Sequence, residues 1–308
     1  MFSLRSFCVF VGTIVVALAL VALFVPAVRH AIDSYVTYYK VRFYEAYLYD
    51  DSDLEDDTSL REVVGVASMR DGETLHILIM GQSNAANEVE SRIEDLEHVF
   101  VEYYGNIYRA SDPMLGGTGN RGSVWTRFAV KALATKRWQN VVLSIIAQGG
   151  SALAYWMPGG PIHSRLLARL EAMQSLPFRP DYVFWFHGET DALNDIPKLM
   201  YKNDFIDLVG TLRKFGIDNQ VLVSQTTLCR RMGSVGVRDA LAEAADVTPQ
   251  VILGPDTDAV GFDYRRDGCH FTDDGGDVVA GLWMDAVMEQ EQAKLQREAE
   301  IKAAMEED

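Results

Sequence analysis

Cysteine is scarce in this chain: three residues in 308. Three cannot build a disulfide framework, and their spacing fits no zinc pattern. Cys229 and Cys269 remain as one candidate pair, with two unbonded thiols as the alternative. Positive charge is also short. Lys and Arg number 28 against 44 Asp and Glu, giving a formal charge of −16. A nucleic-acid surface needs a basic face to meet phosphate, so this balance argues against one. Internal repeats and low-complexity tracts are missing, which leaves no basis for a solenoid or a disordered array. The hydrophobic content of 48% and charged content of 23% are those of a globular protein. They exclude a fibrous chain and a membrane protein with many spans.

A long apolar run occurs at Phe7–Val28, which carries no charge. About 20 apolar residues cross a bilayer, whereas the core of a signal peptide runs about 7–15. The length predicts an N-terminal membrane anchor over residues 1–30, with a cleaved signal segment as the alternative. Arg5 precedes the run while Arg29, Lys40 and Arg42 follow it, so the charges set no orientation. Tyr35, Tyr38, Tyr39, Tyr44, Tyr47 and Tyr49 come next. Tyrosine suits a membrane–water interface, and helical spacing equally allows a helix packed on the domain. The acidic stretch Asp50–Asp57 lacks the spacing of an EF-hand loop and reads as a solvated linker. Residues 31–62 therefore read as a juxtamembrane helix and linker.

From residue 63 to 288 the pattern alternates. Leu75–Met80, Val141–Ile146, Tyr182–Phe186 and Val221–Ser224 are short continuous apolar runs, the mark of strands buried on both faces. Helical patterns separate them at Ser123–Lys136, Pro161–Ser175, Ile196–Phe215 and Arg238–Ala245, and another starts at Gly275. This order predicts an α/β three-layer sandwich with a mostly parallel central sheet, of flavodoxin-like type. Residues 289–308 read as a charged C-terminal helix.

In open α/β sheets, ligands bind beyond the carboxyl ends of the strands. Those ends carry unusual sequences here: Gly81-Gln82-Ser83-Asn84, Gln148-Gly149-Gly150-Ser151 and His187-Gly188-Glu189-Thr190-Asp191. A late loop holds Asp267-Gly268-Cys269-His270. Serine is a weak nucleophile until a base takes its proton. His270 suits that base, and Asp267 suits the group that orients the imidazole. Gly149 and Gly150 allow close backbone approach to an oxyanion, and His187 is expected to offer a side-chain N–H to it. Each piece has an ordinary explanation alone, as a turn serine, a loop Asp-x-x-His or a structural histidine. Together they fall on successive strand ends.

These residues resemble the sialate O-acetylesterase-like branch of the SGNH (GDSL-type) hydrolases, which includes carbohydrate acetyl esterases. The resemblance rests on Gly81-Gln82-Ser83-Asn84, Gly149-Gly150-Ser151 with Trp156, His187-Gly188-Glu189-Thr190-Asp191 and Asp267-x-x-His270, and spans Leu75 to Met288. It implies an SGNH-hydrolase-like fold, Ser83 as nucleophile, His270 as base and Asp267 as its partner. It also implies an oxyanion hole from the N–H groups of Ser83 and Gly149 or Gly150. Gln82, Asn84 and Glu189 join the site as binding or bracing residues. The family's Gln stands as His187 in this chain. The implied activity is removal of acyl groups, acetyl foremost, from a carbohydrate, with no metal and no cofactor.

Other readings fit less well. An α/β-hydrolase would want Gly-x-Ser-x-Gly, and Ala85 holds the last position. Gly117-Thr118-Gly119-Asn120-Arg121-Gly122 fits a dinucleotide fingerprint, but no apolar strand leads into it and no acid follows at the right spacing. It reads as a loop shaping the cleft. Two alternatives stay open: a membrane-anchored O-acyltransferase acting on a cell-surface polysaccharide, and a non-catalytic glycan-binding module. The expected location is a membrane-anchored domain on the periplasmic or other extracytoplasmic side. A Cys229–Cys269 bond would accord with that side, since disulfides persist in oxidising compartments.

Overall fold

The computed structural model describes residues 13–16, 25–44, 49, 51–66, 69 and 73–307. Seven strands form one sheet in the order β3-β2-β4-β1-β5-β6-β7. They are β1 (Thr74–Gly81), β2 (Val99–Tyr103), β3 (Asn106–Arg109), β4 (Asn140–Ala147), β5 (Tyr182–Phe186), β6 (Gln220–Gln225) and β7 (Val251–Asp256). β3 runs antiparallel to β2, and every other pairing is parallel. The sheet is the mostly parallel one expected from the continuous apolar runs.

The helices are α1 (Pro26–Phe43), α2 (Val124–Ala134), α3 (His163–Met173), α4 (Glu189–Leu193), α5 (Lys198–Lys214), α6 (Val235–Val247) and α7 (Asp273–Glu307). Strand alternation builds the two cores. In β1, Leu75, Ile77 and Ile79 join Trp125 and Phe128 of α2 and Trp283 and Val287 of α7. Leu78 and Met80 face the other way, toward Leu166 of α3, Phe205 and Leu208 of α5, and Leu241 of α6. Both faces of the sheet are thus covered. Ser123 starts α2 by accepting the Trp125 N–H at 2.8 Å, the usual work of an N-cap serine.

Two expectations about the N-terminal part meet the structure differently. Helix α1 packs on the domain through Tyr38 and Val41, and Tyr38 Oη donates to Asp204 of α5 at 2.9 Å. Arg42 reaches the same carboxylate at 3.1 Å. The acidic stretch is solvated along Asp51, Asp53, Asp56 and Asp57, but its backbone is docked on the domain: Leu54 bridges Thr118, Glu55 N donates to Gly117 O, and Gly116 N donates to Glu55 O. Backbone pairing ignores side-chain charge, so an acidic segment can line a loop while its aspartates face water and Glu55 pairs with Arg61 at 3.3 Å. The proposed anchor, Phe7–Val28, lies mostly outside the described residues, as do Tyr47 and Asp50. Among the described residues, no helix is long and apolar enough to cross a membrane.

Candidate active site

Topology brings three motifs together. β1 lies between β4 and β5, and Gly81 pairs with Ala147 on one side and Phe186 on the other. The three strands therefore end level, and Gln82, Gln148 and His187 leave them side by side. This is where the strand order reverses, the switch point at which α/β sheets bind ligands. Gly81 is required by close approach, because a Cβ there would lie 2.1 Å from the Phe186 carbonyl oxygen.

Ser83 opens a short 3-10 turn just after β1 and is 7% exposed, so it is nearly buried rather than standing free. His270 Nε2 lies 2.9 Å from Ser83 Oγ, and His270 Nδ1 lies 2.7 Å from Asp267 Oδ2. The other Asp267 oxygen accepts the backbone N–H groups of His270 at 2.8 Å and Cys269 at 3.0 Å. Burial alone would raise the Asp267 pKa, but the His270 N–H, the imidazole and the Cys269 N–H outweigh it and hold the carboxyl at about 2. The carboxylate thus stays ionised and fixes the tautomer: Nδ1 carries the proton, and Nε2 presents a lone pair to the Ser83 hydroxyl.

The loop carrying Asp267 and His270 is tied down from several directions. Cys269 is bonded to Cys229 in a disulfide, and Arg230 N donates to Gly268 O. Arg265 Nη1 donates to Cys269 O at 2.6 Å and sits over the Phe271 ring. Asn84 Nδ2 donates to Glu189 Oε1 at 2.6 Å and to Cys269 O at 3.3 Å, joining three motifs. Burial raises the Glu189 pKa, with the Asn84 amide opposing. Gln82 Oε1 accepts the N–H groups of Gly188 and Thr190. Glu189 and Gln82 therefore brace the strand-end loops.

His187 corrects an expectation. Its ring is fully enclosed, stacked on Trp185, with Nε2 3.0 Å from Ser151 O and Nδ1 3.3 Å from Tyr201 Oη. A carbonyl only accepts, so the single N–H of the neutral ring goes to Ser151. Burial pushes the His187 pKa down to about 3, so the ring gains no second proton near neutrality. It holds the Gly149-Gly150-Ser151 turn from behind and has no N–H left for an oxyanion. Gly149 N–H is also engaged, donating to Thr118 Oγ1 at 2.7 Å. Gly150, at φ +67°, has open space around it. Arg265 and Tyr201 are site-shaping residues that sequence reading missed, whereas Thr118 lies in the loop read as shaping the cleft, with no role of its own assigned there. The hydroxyl between glycines at Gly117-Thr118-Gly119 was the one local signal. Among the described residues, no three His, Cys, Asp or Glu side chains gather as a metal site would need.

Asp191 gives a pH test of this bracing. It is 2% exposed, and its carboxyl accepts Leu153 N–H at 3.1 Å. Burial, partly offset by that N–H, raises its pKa to about 8. The unfolded value is about 3.9, so between about pH 4 and 8 the folded state holds a proton that the unfolded state releases. Stability from this group is full below that window and falls as pH rises through it, at most by about 1.4 kcal/mol per pH unit. Thermal melts of wild type and Asp191→Asn across this range are expected to diverge, with the variant lacking the decline. Parallel curves would contradict the assignment.

Residues 74–289 match the family model for carbohydrate esterase, sialic acid-specific acetylesterase. Among solved structures, a protein from Arabidopsis thaliana superposes with TM-score 0.55 at 18% identity, covering 70% of this chain and 98% of that one. NanS superposes with TM-score 0.51 at 12% identity, covering 72% of this chain and 98% of its own. At these identities the two share the fold. No curated protein matches the chain.

Proposed function

The chain belongs to the sialic acid-specific acetylesterase family of carbohydrate esterases and is a carboxylic ester hydrolase; from this premise we propose that it removes O-acetyl groups from a carbohydrate through an acyl-enzyme on Ser83. The observation that carries the reading is the unbroken hydrogen-bond chain from Ser83 Oγ through His270 to Asp267, at 2.9 and 2.7 Å. In the first step, Ser83 Oγ bonds to the ester carbonyl carbon as His270 Nε2 takes its proton. The carbonyl electron pair moves onto oxygen. As the intermediate collapses, the sugar C–O bond to the acyl carbon breaks, and His270 returns the proton to the leaving oxygen. Water, deprotonated by His270, then attacks the acetyl-Ser83 carbonyl; the bond from the acyl carbon to Ser83 Oγ breaks, His270 returns the proton to Oγ, and acetate leaves. Asp267 stays ionised throughout and stabilises the imidazolium.

The location belongs to the same proposal. The Cys229–Cys269 bond supports an oxidising compartment, since such bonds are rare in the cytosol. The Phe7–Val28 run supports a membrane anchor, with the domain on the extracytoplasmic side.

Purified full-length protein assayed on an acetylated chromogenic ester, with and without an acceptor glycan, tests the reaction. Release of free acetate at the same rate in both is expected. Acetyl appearing on the glycan in place of acetate would turn the reading to acyl transfer. Absence of turnover in both would overturn it.

A further inference from the structure

Two of the expected oxyanion donors are already engaged, which leaves Gly150 N–H as the backbone donor from that turn. His187 spends its N–H on Ser151 O, and Gly149 spends its own on Thr118 Oγ1. What the second of these leaves behind is a hydroxyl. Thr118 is 1% exposed and held firmly: its N–H donates to Ala147 O at 3.2 Å, its carbonyl accepts Asn87 N–H at 3.0 Å, and Leu54 bridges it from the acidic strap. A Cβ built on Gly149 would sit 3.2 Å from Thr118 Oγ1 and 3.7 Å from Ser83 Cβ. Hydroxyl and nucleophile therefore border the same small space.

A hydroxyl has one hydrogen to give besides what it accepts. Thr118 Oγ1 accepts from Gly149, and among the described residues its own O–H meets no acceptor. A buried donor left unmatched is costly, and native structures rarely keep one without a use. We infer that Thr118 O–H is an oxyanion donor, passing the Gly149 N–H on to the substrate carbonyl oxygen. A hydroxyl that accepts one hydrogen bond becomes a better donor in the next. Ser83 N–H, at the start of its 3-10 turn and without an acceptor in that turn, supplies the second bond. No proton changes hands at Thr118. The hydroxyl only stabilises charge that develops in the transition state, which is where such a donor acts.

This inference rests on Ser83 being the nucleophile. Full-length Thr118→Val, Thr118→Ala and Thr118→Ser are compared on an acetyl ester. Valine and alanine are expected to lower kcat by about 10²–10³ with KM little changed, the usual loss of one oxyanion donor. Serine keeps the hydroxyl and is expected to stay within about tenfold of wild type. A trifluoromethyl ketone, which forms a tetrahedral adduct on serine, loses affinity in step with kcat. Normal or raised kcat in a folded Thr118→Val protein overturns the inference, because the hydroxyl would then only cap a Gly149 N–H that serves better when freed. Equal loss in the serine variant also overturns it, assigning the effect to the methyl group. Should Ser83→Ala stay active, the nucleophile assignment itself falls. An inactive Ser83→Ala beside a fully active Thr118→Val removes only the role of the hydroxyl.

Discussion

Ser83→Ala is expected to lower kcat by on the order of 10⁶, with the melting temperature nearly unchanged. The Ser83 hydroxyl donates one contact at 2.9 Å, to His270 Nε2, and its backbone turn is set by neighbours rather than by the hydroxyl. Losing Oγ therefore removes the covalent route and leaves the sheet ends as they are. Any residual turnover would come from oriented water and the oxyanion donors. The measurement is steady-state kinetics on an acetyl ester beside a thermal melt. Activity within about tenfold of wild type in a folded variant would refute the nucleophile.

The second large effect is expected at Asp267. Asp267→Asn should cost about 10⁴ in kcat, as when a triad carboxylate becomes an amide. The carboxylate accepts from Nδ1 at 2.7 Å and so leaves Nε2 unprotonated toward Ser83. An asparagine can turn its NH₂ toward Nδ1, which moves the ring proton to Nε2 and removes the base. The sign with pH follows from the pKa near 2. That value lies below the ordinary carboxylate range, so the charge and its stabilising bonds persist through neutral and mildly acidic pH. They are lost only as pH falls through about 2. The pH–rate profile of the wild type should accordingly show no loss from Asp267 down to the acid limit of folding. A variant rate within tenfold of wild type would show that the carboxylate does not set the tautomer.

The parts of the fold that were legible in sequence are those where burial is uniform. β1, β4, β5 and β6 are nearly all buried, so they appear as unbroken apolar runs. β2 was hidden because Glu102 interrupts it, fully buried yet paired with Arg169 at 2.9 Å. Such a pair depends on a partner 67 positions away and leaves no local trace. β3 and β7 are edge strands with exposed positions, and a short edge strand has little pattern to show.

The site divides in the same way. Ser83 sits on the turn that follows β1, and Asp267 and His270 sit together on one loop before α7, so the spacing within each motif is local. The orientation of His187 was not legible, because it is decided by Trp185, Tyr201 and Ser151 rather than by its own motif. The loop of Thr118 reads as one shaping the cleft, but the part its hydroxyl plays was not legible for the same reason: it depends on Gly149, 31 residues away. The docking of the acidic stretch was not legible, because side-chain charge describes what faces water, not what the backbone pairs with.

The central claim is that an acyl group passes through Ser83. Intact-mass and peptide mass spectrometry after a rapid acid quench of enzyme turning over an acetyl ester tests it directly. The account predicts one acetyl group on the peptide that contains Ser83, absent from Ser83→Ala and lost as substrate is exhausted. Steady turnover with Ser83 unmodified at every quench time would contradict it.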